Sequence, residues 1–459
     1  MRSRCLPKGG SSGKLVPGED DMSANTESNV SPPDLKVASR IPASRYTSRD
    51  WEDLETERLW ARVWQIACTE DCISEPGDYW EYEIGPLSIV ILRDDEGIVR
   101  AFQNVCPHRG AAILKGSGGG LCEVRCPYHH WRFDLKGHLC GDAQSDQLEG
   151  RPGPMSLIPV STGTFGGFVF VNPDPDCEPL EEFLEILPKE LAWVGMEDYS
   201  CSDFLTLPLP CNWKVVVDAF IETYHLHAVH PQMLAIADDV HTPITLYDKH
   251  TMFMQPYGVP SPRRKGTVTD QELWEEFAAN LGHRMGMTFA STEDQGTHPP
   301  VPEGQTMRDV LVSRIRAHLA SIGPRFADLD DHHIIDDFHY HIFPNAVFNV
   351  FAGWYGLIRM RPGATPDESF VDMWNFDLRA EDHPENHPRP VKSLLGVDDL
   401  SSFGTVLPQD LDVLTRAQQG LHQPGLDFLR LTPAEARIGR MHEILDRYLD
   451  PPDDQRLPD

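Results

Sequence analysis

The chain has 459 residues, 40% of them apolar, and a formal net charge of −31. That length holds about two to three domains, each with its own core. So acidic a chain is repelled by nucleic acid and by anionic membrane surfaces. Its ten cysteines are scattered, which fits reduced thiols of a cytoplasmic protein rather than a small disulfide scaffold, and no apolar run reaches the length of a membrane span.

Residues 1–45 are rich in Gly, Ser and Pro, lack the apolar segment of a secretory signal, and are expected to form a disordered tail, with Met22 as a second candidate start. From residue 46 the composition turns globular. Ser48 is placed to cap a helix carrying Trp51, Leu54, Leu59, Trp60, Val63 and Trp64 on its apolar positions. Short strands are expected at 78–84, 87–92 and 98–104, with the Asp94-Asp95-Glu96-Gly97 turn joining the last two. The stretch 115–120, Lys-Gly-Ser-Gly-Gly-Gly, reads as a turn; it lacks the residue order and the following helix of a phosphate-binding loop. Strands at 131–135, 137–140 and 167–172 complete a small all-β domain, residues 46–175 with its leading helix. Cys68 and Cys72 read as core residues, and Cys122 and Cys140 are assigned no metal.

Two ligand pairs lie inside that domain. Cys106-Pro107-His108 and Cys126-Pro127-Tyr128-His129 are separated by seventeen residues. Two thiolates and two imidazoles close either a tetrahedral zinc site or a Rieske [2Fe–2S] centre, where two His replace two Cys on one iron. Zinc fingers pair like with like, whereas each pair here mixes one Cys with one His. That mixture suits two facing loops that each give a sulfur to one iron and a nitrogen to the other. His108 and His129 are then expected at the exposed end, where electrons pass.

Residues 176–204 are rich in Pro and acid at their start and read as a linker, 205–450 as a second domain, and 451–459 as a tail. A strand is expected at 205–210 and a helix at 212–224. In NWKVVVDAFIETYHLHAVHP, residues 212–231, His225 and His230 are separated by four intervening residues at a helix end. Two imidazoles and one carboxylate with open positions make the facial triad of non-haem Fe(II) oxygenases. His227, between them, faces elsewhere. Residues 231–330 look long, polar and irregular, with helical pieces near 270–281 and 307–322, and are expected to cover a pocket. Alternating strands follow at 338–343, 346–351, 354–360 and 369–378. Their aromatics Phe343, Phe348, Phe351, Trp354 and Tyr355 either line an apolar cavity or form sheet core. His332, His333, His339 and His341 lack ligand spacing.

These segments resemble the catalytic (alpha) subunits of Rieske non-haem iron aromatic ring-hydroxylating oxygenases. Both cluster loops match, except that His130 stands where that family has Gly. The N-W-K segment with its Tyr-His and second His matches the catalytic motif, with Asp218-Ala219 where the family often reads Glu-Asn. The resemblance implies an α+β protein: an all-β Rieske domain, then an antiparallel-sheet-plus-helices catalytic domain of helix-grip type. It implies that Cys106, His108, Cys126 and His129 hold a [2Fe–2S] cluster, and that His225 and His230 hold a mononuclear Fe(II). The third ligand is implied by the segment 409–421, where an Asp precedes Gln418-Gln419-Gly420-Leu421; that maps to Asp410, with Asp412 as runner-up. Glu222 is implied to bridge His225 to a cluster His of a neighbouring subunit, and Asn212 to be a polar neighbour of the iron. Also implied are NAD(P)H-derived electrons through a reductase and/or ferredoxin, a homotrimer with or without a β subunit, and O2 as co-substrate. The expected reaction is ring dihydroxylation, monohydroxylation or oxidative demethylation of an aromatic or other hydrophobic small molecule. The competing class is a Rieske electron carrier or zinc-binding protein without catalysis, which leaves His225, His230 and the second domain unexplained. Metal content separates the two.

Overall fold

The computed structural model describes residues 37–141, 155–282, 298–378, 393–394, 406–453 and 456–457. Met22 and most of the expected tail lie outside the described residues. The first half is built on a seven-stranded sheet in the spatial order Gln65–Thr69, Phe168–Asn172, Pro159–Phe165, Val99–Gln103, Leu87–Arg93, Tyr79–Ile84, Ser117–Gly118. In Tyr79–Ile84 the alternation is plain: Trp80, Tyr82 and Ile84 are buried, with Glu81 and Glu83 between them. A strand's side chains point alternately to either face, so this pattern turns one face to the core. A smaller sheet of Val124–Arg125, Arg132–Phe133 and Leu139–Gly141 carries the second cluster loop.

The second half rests on an eight-stranded sheet in the order Ile244–Leu246, Thr251–Gln255, Asp337–Ile342, Ala346–Phe351, Trp354–Pro362, Ser369–Leu378, Tyr199–Leu209, Ser393–Leu394. Its pairings are antiparallel except the last. The helices Trp213–Phe220, Val406–Leu421 and Ala436–Leu449 flank it, while Asp270–Asn280 and Met307–Ile322 stand where helical pieces are expected. These last two bury Leu273, Trp274, Phe277, Leu311 and Ile315 in a core of their own. No helix among the described residues is long and apolar enough to cross a membrane.

Several expectations need correction. The tail ends before residue 45: Arg40–Pro42 pairs with Phe428–Arg430, and Arg45 and Tyr46 are buried. The linker holds short helices, Leu180–Leu184 and Leu187–Glu190, because Phe183, Leu184 and Leu187 bury against the main core, and the strand Tyr199–Leu209 begins within it. Gln65–Thr69 is a strand directly after the expected helix, where no strand is expected because all five positions are buried and no alternation shows. Ile244–Leu246 and Thr251–Gln255 extend the sheet through a region expected to be irregular. Gly-rich 115–120 includes a sheet edge, Ser117–Gly118, paired with Tyr79 and Trp80. Phe343, Phe348, Phe351, Trp354 and Tyr355 are buried in the cores.

One buried ion cluster ties the halves together. Asp372 accepts from Arg359, Arg361 and Thr206, and the two guanidiniums reach on to the backbone oxygens of Ile66, Ala67 and Glu83 in the first sheet. Burial alone raises a carboxyl pKa, but the two guanidiniums hold Asp372 far below the usual carboxylate range.

Candidate metal centres

The two cluster loops are built alike. In the first, Cys106 N–H donates to the Ala111 oxygen and Gly110 N–H to the Cys106 oxygen; in the second, Cys126 N–H donates to the Trp131 oxygen and His130 N–H to the Cys126 oxygen. Gly110 has φ 75° and His130 has φ 59°, so His130 holds the left-handed turn that glycine holds in the partner loop. Cys106 and Cys126 are each 1% exposed, while His108 and His129 are exposed with ring centroids 4.6 Å apart. Burial pushes the Cys106 thiol up, and Cys126 is close enough to add to the shift. His108 stacks on Trp131 at 4.7 Å, and Arg109 reaches across the gap to lie 4.4 Å over Tyr128. Desolvation and the neighbouring His108 and Arg109 hold His129 below the usual imidazole value, which favours its neutral ligand form.

In the second half, Asn212 caps Trp213–Phe220, and the chain then reaches the short helix Leu226–Val229, with His225 before it and His230 after it. That single turn brings the two imidazole centroids to 5.2 Å. The helix Val406–Leu421 buries Asp410, Leu411, Leu414, Gln418 and Leu421, one face at helical spacing, and so delivers Asp410 to the histidines. Asp410 Oδ1 lies 2.8 Å from His230 Nε2 and 3.9 Å from His225 Nε2. One ligand atom from each of the three lies within 4.8 Å of the others. Asp412 is paired with Arg416 at 2.7 Å, with its side chain 62% exposed, and takes no part.

The outer partners fix which nitrogen faces the centre. Glu222 Oε1 is 2.6 Å from His225 Nδ1, and its Oε2 accepts the His225 backbone N–H. With the Nδ1 proton donated to Glu222, the Nε2 lone pair is free to bind metal. Burial opposes charging His225, yet the Glu222 hydrogen bond and charge hold its pKa above the ordinary imidazole value. Gln409 Oε1 does for His230 what Glu222 does for His225, at 2.9 Å from Nδ1. Gln409 escaped the sequence reading because nothing but proximity to Asp410 marks it. His227 turns away: its Nδ1 meets the Tyr224 oxygen and Arg263. Asn212, expected beside the iron, is committed elsewhere. Its Oδ1 accepts Lys214 N–H, its Nδ2 donates to the Pro366 oxygen, and its own N–H donates to Gln418.

A cavity of about 360 Å³ opens behind the triad, lined by Glu222, His225, Asp410, Tyr46, Asp218 and a set of apolar residues that includes Val413, Leu414 and Leu426. His332 and His333 pair with Asp336 and Asp330, and His339 and His341 are buried strand residues, so none of that group joins the centre.

A two-cysteine, two-histidine loop pair on one β domain and a two-histidine, one-carboxylate group on the next give the chain two separate sets of donors able to hold metal. The family comparison is specific: residues 191–451 match the ring hydroxylating alpha subunit (catalytic domain) and residues 63–152 the Rieske [2Fe-2S] domain, so the chain belongs to the ring hydroxylating alpha subunit family. It is 32% identical over 245 residues to a carnitine monooxygenase oxygenase subunit of Acinetobacter pittii (strain PHEA-2), covering 52% of this chain and 65% of that one. The match therefore spans just under two thirds of that relative's length. It is 30% identical over 181 residues to a glycine betaine monooxygenase oxygenase subunit of Chromohalobacter salexigens, 39% of this chain and 41% of that one. The crystal structure of a quaternary ammonium Rieske monooxygenase in complex with L-carnitine shares the fold, with a TM-score of 0.63, 21% identity, and coverage of 90% of this chain and 96% of that one. The cofactors of these domains are a Rieske [2Fe–2S] cluster and a mononuclear iron. The donor sets fit both: buried sulfurs beside exposed nitrogens for the first, and three converging N, N and O donors with fixed tautomers for the second.

Proposed function

We propose that this chain is the oxygenase component of a multicomponent Rieske system, in which Cys106, His108, Cys126 and His129 hold the cluster and His225, His230 and Asp410 hold the mononuclear iron. The convergence of those last three side chains, with Glu222 behind His225, is the observation that carries the reading. When bound, the two iron centres supply electron transfer and activation of O2 for insertion into a C–H bond. The residues of the chain do the rest. Glu222 and Gln409 hold the histidine tautomers, and burial of Asp410 keeps water from competing for it. NAD(P)H electrons arrive from a reductase, directly or through a ferredoxin.

Glu222 is also placed to receive electrons from a second copy. It lines a cavity rimmed by the exposed apolar residues Val413 and Leu426, and the cluster histidines stand exposed at the tip of their own domain. That arrangement supports a ring of subunits in which the tip of one meets the Glu222 face of the next, the trimer the resemblance implies.

For substrate, the relatives named for carnitine and glycine betaine favour monohydroxylation or oxidative demethylation of a small quaternary ammonium compound over ring dihydroxylation of an aromatic. The test is to supply carnitine, γ-butyrobetaine, glycine betaine, choline and a neutral aromatic with NADH and a reductase, and to count inserted oxygens by product mass. Analysis of the purified protein is expected to find three irons per chain with labile sulfide. His225→Ala and Asp410→Ala are each expected to lose the mononuclear iron and turnover and to keep the cluster's visible absorbance. Full turnover in either variant sinks the ligand assignment.

A further inference from the structure

One polar group on the Glu222 face has no part in the chemistry above. Asp218 lies four residues before Glu222, lines the same cavity, and has one oxygen, Oδ1, that is buried with no hydrogen-bond partner among the described residues. Its other oxygen, Oδ2, lies 2.5 Å from the Tyr46 hydroxyl, and that hydroxyl lies 2.9 Å from His442 Nε2. Arg45 Nη1 is 3.3 Å from His442 Nδ1.

The direction of this chain follows from its far end. A guanidinium only donates, so His442 Nδ1 accepts, and the proton of the neutral ring sits on Nε2. Burial and the charges of Arg45 and Lys214 keep that ring neutral by holding its pKa well below the usual value. His442 then donates to the Tyr46 oxygen, and Tyr46 donates to Asp218 Oδ2. Any proton that Asp218 carries therefore sits on Oδ1.

We propose that Asp218 is a proton relay for the mononuclear centre: Oδ1 carries a proton in the wall of the cavity and releases it toward Glu222 as electrons arrive. The proposal rests on the oxygenase reading above. Inserting one atom of O2 and releasing the other as water consumes two electrons and two protons (R–H + O2 + 2 e⁻ + 2 H⁺ → R–OH + H2O). The electrons come from the reduced donor protein. The Asp218 carboxyl passes its proton to the Glu222 carboxylate, becomes a carboxylate itself, and regains a proton from solvent water, so that one proton enters the chain.

The charged surroundings suit that role. Burial lifts the Asp218 carboxyl to about 7; the Tyr46 hydrogen bond and Lys214 pull it down, and Glu435 and Glu222 push it up. His225 and Asp410 complete the cavity's polar wall. Asp218 thus exchanges its proton near neutral pH, where a relay works best.

The test uses the protein loaded with both iron centres. It is reduced electrochemically through a viologen mediator without O2, and proton uptake per chain is followed with an indicator dye from about pH 6 to about pH 8. The wild type is expected to show an uptake component centred near neutrality. Asp218→Asn is expected to lose it while keeping iron content and the visible spectrum. Tyr46→Phe is expected to move it to higher pH, because the carboxylate loses a donor. Unchanged uptake in Asp218→Asn overturns the proposal. Should that variant fail to load iron, an unmoved midpoint in Tyr46→Phe overturns it instead. A wild-type protein that binds no cluster or mononuclear iron defeats the oxygenase reading, a separate failure seen in the metal analysis.

Discussion

His130 holds a left-handed backbone, φ 59°, at a position where its counterpart in the other loop is glycine. For a side chain with a Cβ that conformation costs roughly 1–2 kcal/mol, and the cost is met by the Cys126 and Trp131 hydrogen bonds that close the loop. His130→Gly removes the steric penalty but adds freedom to the unfolded chain. It is expected to keep the cluster spectrum and to change stability by no more than about 1 kcal/mol. His130→Val, β-branched in the same conformation, is expected to lower the denaturation midpoint and the cluster loading together. The residue scale also separates what binds metal from what aims it. The Cys and His residues proposed as ligands were readable because residue type and spacing carry ligand chemistry directly. Glu222 was readable because it sits three residues from His225. Gln409 and the Tyr46–Asp218 contact were not, because their roles depend on partners 179 and 172 residues away.

At the scale of elements, the N-W-K segment turns out to be a fastening for the N-terminal helix. Glu55, 1% exposed, accepts from Trp51, Trp213 and Lys214, and Lys214 is itself fully buried. Asn212 caps the helix that carries Trp213 and Lys214 toward Glu55. Glu55→Ala leaves an ammonium buried without its counter-ion, a loss of roughly 3–5 kcal/mol, and is expected to shift the chemical denaturation midpoint by that amount. A shift below about 1 kcal/mol, the range of an exposed ion pair, contradicts this role. Strands 346–351 and 369–378 were legible to the residue as runs rich in apolar, aromatic and β-branched residues, although most of their positions are buried. Gln65–Thr69 is buried on both faces and shows no alternation, and Pro159–Phe165 opens on proline and contains Gly163, so neither announced itself. Asp410 lies 180 residues from His230, and only the likeness of its helix to the family's late helix pointed to it.

At the scale of the molecule, acid is expected to unfold this protein through its buried imidazoles before its carboxylates. Burial drops His250 to about 4 and His341 to about 3, from an ordinary value of 6.5. His250 is satisfied as a neutral ring, with Nε2 donating to the Phe183 oxygen and Nδ1 accepting Phe343 N–H. A folded pKa below the unfolded one means stability is complete above about pH 6.5 and falls as pH drops from there toward 4. At about 1.4 kcal/mol per pKa unit, His250 alone removes about 3 kcal/mol across that window. Asp372, held far lower by its two guanidiniums, is lost only in stronger acid. Equilibrium unfolding at pH 7 and pH 5 checks this, and a flat profile between them contradicts it.

The late position of Asp410 also sets an order of assembly on the ribosome. On the proposed ligand assignment, all four Cys and His cluster donors have left the exit tunnel long before residue 410 is translated. A nascent chain thus owns every donor for the sulfur-bridged centre while its second centre still lacks an acid. A message cut short before codon 406 encodes a product that keeps those four residues and lacks Asp410, and it is expected to carry out no oxygen chemistry.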